Sequence, residues 1–237
     1  MTAEGAAHGV AENSFAAVAA AQAAGARMIE SDCHLTRDGV VVLFHDDDLS
    51  RVTGDPRKVA DVTAAELESL MAEHGGLITL AQALDAFPTV TFNLDVKAAA
   101  AAEAVGRAVA GHGDRVLITS FSDERRRAAL AAAAEKGGVR PATSAGTGTI
   151  ARLLAGLWLH SERLVASALA NIDALQIPER QGRLRILTPR LIAAAHRYGV
   201  EVHVWTVNDP ADMTRLVAMG VDGIVTDRAD IALRALS

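Results

Sequence analysis

Glu30 and Asp32 stand two residues apart in the run Met28-Ile29-Glu30-Ser31-Asp32. Side chains alternate along a strand, so the two carboxylates share one face and concentrate negative charge there. A two-residue turn at Asp38 and Gly39 would fold the next strand back and set His45 opposite Asp32, on the same side. Asp95 and Lys97 repeat the two-residue spacing at the end of a mostly apolar run, and a buried parallel strand reads in that way. Three carboxylates without a cysteine partner favour a hard, oxygen-seeking divalent cation, Mg2+ or Ca2+, over zinc. Lys97 adds a charge that seeks phosphate. Each pair alone has a plain structural reading, as a solvated strand face or a surface salt bridge; their coincidence with His45 is what points to a site.

The elements that must position these residues alternate. Short β-branched runs at 27–35, 40–44, 90–96, 116–121, 139–143, 174–177, 200–207 and 223–226 read as strands, separated by alanine-rich helical stretches at 14–24, 80–86, 99–112, 123–136, 189–198 and 211–219. Such alternation implies βα units around a parallel sheet. The connection Arg37-Asp38-Gly39 is too short for a parallel crossover, so the second run must return antiparallel, as a hairpin excursion. Seven strands then remain for a fold that closes with eight. The eighth is expected ahead of the 14–24 helix, where the Gly- and Ala-rich opening contains no β-branched run. The C-terminal ends of barrel strands, where Asp95 and Lys97 fall, are where such folds keep their active sites.

With 237 residues, half of them apolar, the chain suits a single domain spanning 1–237. A net charge of −6 and an aromatic share of 3% argue against a nucleic-acid partner. Cys33 is the only cysteine, and no apolar run has the length of a membrane span; a cytoplasmic location and a small-molecule partner are expected. Cys33 and His34 read as packing residues beside the acidic pair. His203 reads as barrel interior or cleft wall. His74, His112, His160 and His196 are expected in solvent. Ser144-Ala145-Gly146-Thr147-Gly148 lacks the lysine and glycine spacing of a P-loop. Asp222 and Asp227 are expected to tie turns.

Glu12-Asn13-Ser14, Ile29-Glu30-Ser31-Asp32, Thr36-Arg37-Asp38-Gly39, His45-Asp46 with Leu49, Arg51 and Thr53, Phe92 to Lys97, Ser120-Phe121-Ser122, Val204 to Asn208 and Gly220 to Asp227 together resemble the glycerophosphodiester phosphodiesterase family in order and spacing. The resemblance implies a (β/α)8 TIM barrel and metal-dependent hydrolysis of a glycerophosphodiester to glycerol 3-phosphate and an alcohol. It implies a metal site of Glu30, Asp32 and Asp95, with Asp95 where many relatives have glutamate. It implies an acid–base role for His45, a phosphate contact for Lys97, and substrate contacts for Trp205 and Glu12. The family's opening strand ends in His-Arg-Gly, and that register falls on Ala3, Glu4 and Gly5. Alanine and glutamate thus stand where a second histidine and a phosphate-binding arginine are expected. Three readings follow: a true start upstream of Met1, a relative that binds a phosphorylated ligand or a partner protein without turnover, or His8 in the missing histidine's place.

Overall fold

The computed structural model describes residues 10–236. Its strands are β1 (Met28–Leu35), β2 (Val41–Leu43), β3 (Thr91–Val96), β4 (Val116–Thr119), β5 (Ala142–Thr143), β6 (Ala174–Ile177), β7 (Arg180–Gln181), β8 (Leu184–Arg185), β9 (Glu201–Val204) and β10 (Gly223–Ile224). β1, β3, β4 and β5 pair in parallel in that order, and β6, β9 and β10 do the same. A parallel bridge between Ser144 and Ala174 joins the two sheets into one arc. This is a (β/α)8 barrel in which seven parallel strands fall among the described residues. The eighth strand was expected ahead of the 14–24 helix as missing or degenerate: residues 10–13 carry no strand, and residues 1–9, with Ala3, Glu4 and His8, lie outside the described residues.

The helices are laid down by local signals. Ser14 accepts a hydrogen bond from the Ala17 amide and caps Phe15–Ala23, and Thr79 with Gln82 forms a capping box on Leu80–Ala86. Pro189 and Pro210 open Pro189–Arg197 and Pro210–Ala218 behind the caps Thr188 and Asp209. Five helices go beyond the expected set: Ser50–Thr53, Ala64–Met71, Thr147–Trp158, Glu162–Leu169 and Ala229–Ala235. The second of these begins with its own capping box, Thr63 with Glu66. Three apolar clusters fill the interior, one around β1, β3 and β4, one around β6 and β9, and one beneath β2 and Ala64–Met71.

The hairpin register differs from expectation by one residue. β1 and β2 pair Cys33 with Leu43 and Leu35 with Val41, so the Phe44 amide donates to the Asp32 carbonyl at 2.9 Å and Phe44, rather than His45, is opposite Asp32. The reason is the turn. Thr36 N–H donates to the Val40 carbonyl, which leaves three residues in the loop, and Gly39 takes φ of 81°. Three-residue loops that end in a left-handed glycine add a residue to one arm and shift the register. Consequently β2 ends at Leu43, and His45 belongs to the loop beyond it.

Candidate functional site

β1 and β3 bring the acids together through their register. Glu30 pairs with Asn93 and Asp32 with Asp95, and with alternate residues facing inward this stacks two polar layers at the C-terminal end of both strands. Asp32 is 2% exposed and Asp95 6%. Lys97 Nζ sits between them, 3.0 Å from Asp32 Oδ1 and 3.1 Å from Asp95 Oδ2. Burial and the neighbouring charge of Glu30 push the Asp32 carboxyl up to about 7, against the pull of Lys97. Burial likewise raises Asp95. For Lys97, burial favours the neutral amine, but the two aspartates outweigh it and hold the ammonium above its usual range.

Asn13, in the Glu12-Asn13-Ser14 run, reaches the acidic pair from the segment ahead of β1. It is 5% exposed and takes a left-handed φ of 56°, a conformation asparagine tolerates better than most residues. Its side-chain nitrogen donates to Asp32 Oδ2 at 3.4 Å, while its oxygen accepts from the Ser31 hydroxyl and the Asp32 amide. Asp32 is therefore held on one side by Asn13 and on the other by Lys97. Its place immediately ahead of the Ser14 cap is the sequence signal that could have singled Asn13 out.

His45 Nδ1 lies 2.6 Å from Asp46 Oδ1 and 4.0 Å from Glu12 Oε1. Burial pulls the His45 pKa down, yet the Asp46 hydrogen bond and the charges of Asp32 and Glu12 together raise it above the usual value. Glu12, expected at the substrate, has its carboxylate hydrogen-bonded to Arg51 with 9% of the side chain exposed. Trp205 is half-buried and meets Phe121 edge to face, with ring centroids 5.9 Å apart; the Phe121 ring centre is in turn 5.9 Å from Lys97 Nζ. Phe121 itself is 59% exposed. Arg125 donates to the Lys97 carbonyl, which adds a second cation beside the acids that the sequence reading overlooked.

The remaining residues separate cleanly. Cys33 is fully buried and burial pushes its thiol pKa up. His34 is buried, with its Nε2 3.4 Å from the His45 carbonyl oxygen. His203 is buried between Gln176 and Glu201. His160 and His196 are exposed, whereas His74 and His112 are half-buried; His196 pairs with Asp222 at 2.8 Å. Asp222 also accepts from the Val202 amide, and Asp227 is tied to Asn208.

A divalent cation can be tested against the residues present. Asp95 Oδ1 and Asn93 Oδ1 are buried without a hydrogen-bond partner, and buried polar atoms of that kind call for a ligand or water. Three carboxylates in one layered patch, two of them with raised pKa values, are what a hard cation would neutralise. The donor chemistry therefore fits. The side chains do not stand at coordination distance: among the described residues no three His, Cys, Asp or Glu side chains converge closely enough to hold an ion, and the Lys97 ammonium lies between two of the acids.

The fold and the site together define a barrel protein with an acidic, lysine- and histidine-bearing mouth. The chain belongs to the Glycerophosphoryl diester phosphodiesterase family, whose profile matches residues 4–231. It is 38% identical over 222 residues to the Probable glycerophosphodiester phosphodiesterase 2 of Mycobacterium tuberculosis, covering 92% of this chain and 83% of that one. The fold is shared with solved structures at lower identity. A glycerophosphodiester phosphodiesterase from Agrobacterium tumefaciens superposes with a TM-score of 0.75 at 23% identity, covering 99% of this chain and 95% of that chain. A phosphodiesterase from Oleispira antarctica, solved in complex with the product sn-glycerol-3-phosphate, superposes with a TM-score of 0.72 at 21% identity, covering 95% and 91%. No helix among the described residues is long and apolar enough to cross a membrane.

Proposed function

We propose that the chain hydrolyses glycerophosphodiesters to glycerol 3-phosphate and an alcohol, in a reaction that depends on a divalent cation. The observation that carries this reading is the buried pairing of Asp32 with Asp95 around Lys97, beside a histidine whose Nδ1 is engaged by a carboxylate. Glu30, Asp32 and Asp95 would hold the cation, Mg2+ or Ca2+. When bound, it would neutralise charge on the phosphoryl oxygens. Lys97 binds a phosphoryl oxygen and stabilises the charge that builds there as the ester bond breaks. His45 exchanges the proton at its Nε2 with the alcohol oxygen. Trp205 and Phe121 form an apolar wall that orients the diester and keeps bulk water from one side of the mouth.

A second reading is favoured by Ala3 and Glu4, which occupy the register of the family's His-Arg pair. It holds that the chain binds a phosphorylated ligand or a partner protein without turnover. Release of glycerol 3-phosphate from glycerophosphocholine separates the two. We expect release with Mg2+ or Ca2+ that a chelator and Glu30→Ala each abolish. Release that survives both treatments sinks the role given to the acids, and no release by the unsubstituted chain favours the binding reading.

A further inference from the structure

Each oxygen of the Asp46 carboxylate has its own cationic or proton-bearing partner. Oδ1 lies 2.6 Å from His45 Nδ1, and Oδ2 accepts from Arg51 Nε at 2.6 Å. The far nitrogen of the same guanidinium, Nη2, donates to Glu12 Oε1. Burial alone would raise the Asp46 pKa, but the hydrogen bonds from Arg51 and His45 lower it below the usual carboxylate range. An ionised carboxylate only accepts, so the contact with His45 requires the proton on Nδ1. A neutral His45 ring then keeps its lone pair on Nε2, the nitrogen turned away from Asp46.

We propose that Glu12, Arg51 and Asp46 are positioning residues which hold the His45 ring in one orientation and its proton on Nδ1, so that Nε2 faces the diester. What Nε2 does there rests on the hydrolase reading; the holding itself does not. Asp46 needs such help because it follows His45 directly in a loop, and a lone aspartate beside a 45% exposed imidazole is free to turn toward water. Arg51 belongs to the Ser50–Thr53 helix, and its planar fork offers separate nitrogens to Asp46 and Glu12, which a lysine cannot do. Glu12 anchors the other end from the segment ahead of Phe15–Ala23. Its neighbour Asn13 grips Asp32, so one dipeptide fixes both the histidine and the acidic half of the site. Stability is not the purpose of this arrangement. Arg51 is 50% exposed, and ion pairs at such exposure contribute little to stability.

The test reads the His45 tautomer directly, by proton–nitrogen correlation spectra of the full chain labelled with 15N-histidine, at a pH high enough for the ring to be neutral. His45→Gln assigns the signal. We expect Nδ1–H in the unsubstituted chain, and a shift toward Nε2–H in Arg51→Met and Asp46→Ala, the same direction in Glu12→Gln. Diesterase kcat should fall about tenfold to a hundredfold in Arg51→Met, with KM changed less than about twofold. Should Arg51→Met fail to fold, Glu12→Gln carries the test. An Nε2–H signal in the unsubstituted chain, or Nδ1–H kept in every folded variant, overturns the proposal. If the unsubstituted chain turns over no diester, the spectra still decide the tautomer, and the failure belongs to the hydrolase reading.

Discussion

Lys97 does two things at once in this site, and they pull against each other. Its ammonium neutralises Asp32 and Asp95, two carboxylates that burial would otherwise drive toward protonation, yet a phosphate-binding lysine must be free to meet an anion. With 26% of its side chain exposed, Lys97 is open on one side while both acids hold the other. Were Glu30, Asp32 and Asp95 to hold a divalent cation, its charge would neutralise the acids in place of the Lys97 ammonium, leaving Lys97 free to meet the substrate. Lys97→Met should therefore lower diesterase turnover by about a hundredfold to a thousandfold, the usual cost of deleting one group that stabilises developing charge. Steady-state kinetics checks it, with circular dichroism to confirm that the chain folds. Turnover within a few fold of the unsubstituted chain would remove Lys97 from the chemistry.

Elements carry the site only as well as they pack, and Gly106 marks a close approach between two helices. It lies in Ala102–Val109, which packs against Asp123–Ala134. A Cβ at Gly106 would come within 2.1 Å of the Ala129 carbonyl oxygen and 2.8 Å of the Ala132 Cβ. Backbone cannot yield as a side chain does, so the helices must part. Gly106→Ala gains about 1 kcal/mol of helix propensity, but the overpacking costs about 1–3 kcal/mol or more, so a net loss of stability is expected. Gly111→Ala, with nothing within 4 Å of its new Cβ, is the matched control. Denaturant midpoints of the two variants check this; equal midpoints would mean that the helix pair relaxes freely.

At the scale of the whole molecule, buried acidic charge is a folding liability that a ligand relieves. A cation that binds only the folded chain stabilises it by mass action, about 2.7 kcal/mol at a hundredfold excess over its Kd. For a chain of this size that is ~5–10 °C in Tm. Thermal melts with and without Mg2+ or Ca2+ should show the rise in the unsubstituted chain and not in Glu30→Ala. A melt indifferent to millimolar cation would argue that Lys97 alone balances the acids.

The strand-face pairing of Glu30 with Asp32, the spacing of Asp95 and Lys97, and the alternation of βα units were legible from the sequence because they depend on local periods of two and of 3.6 residues. The helix caps at Ser14, Thr79, Thr188 and Asp209 follow from equally local signals. The turn that ends in Gly39 was misread by one residue, because a two- and a three-residue loop leave nearly the same signature while setting different registers. Contacts between distant segments were beyond local reading: Asn13 on Asp32, Arg51 on Glu12 and Asp46, Phe121 against Trp205. Residue types can propose which side chains do chemistry. Only the parallel register of β1 with β3, set by packing across the whole barrel, decided that Asp32 faces Asp95 with Lys97 between them.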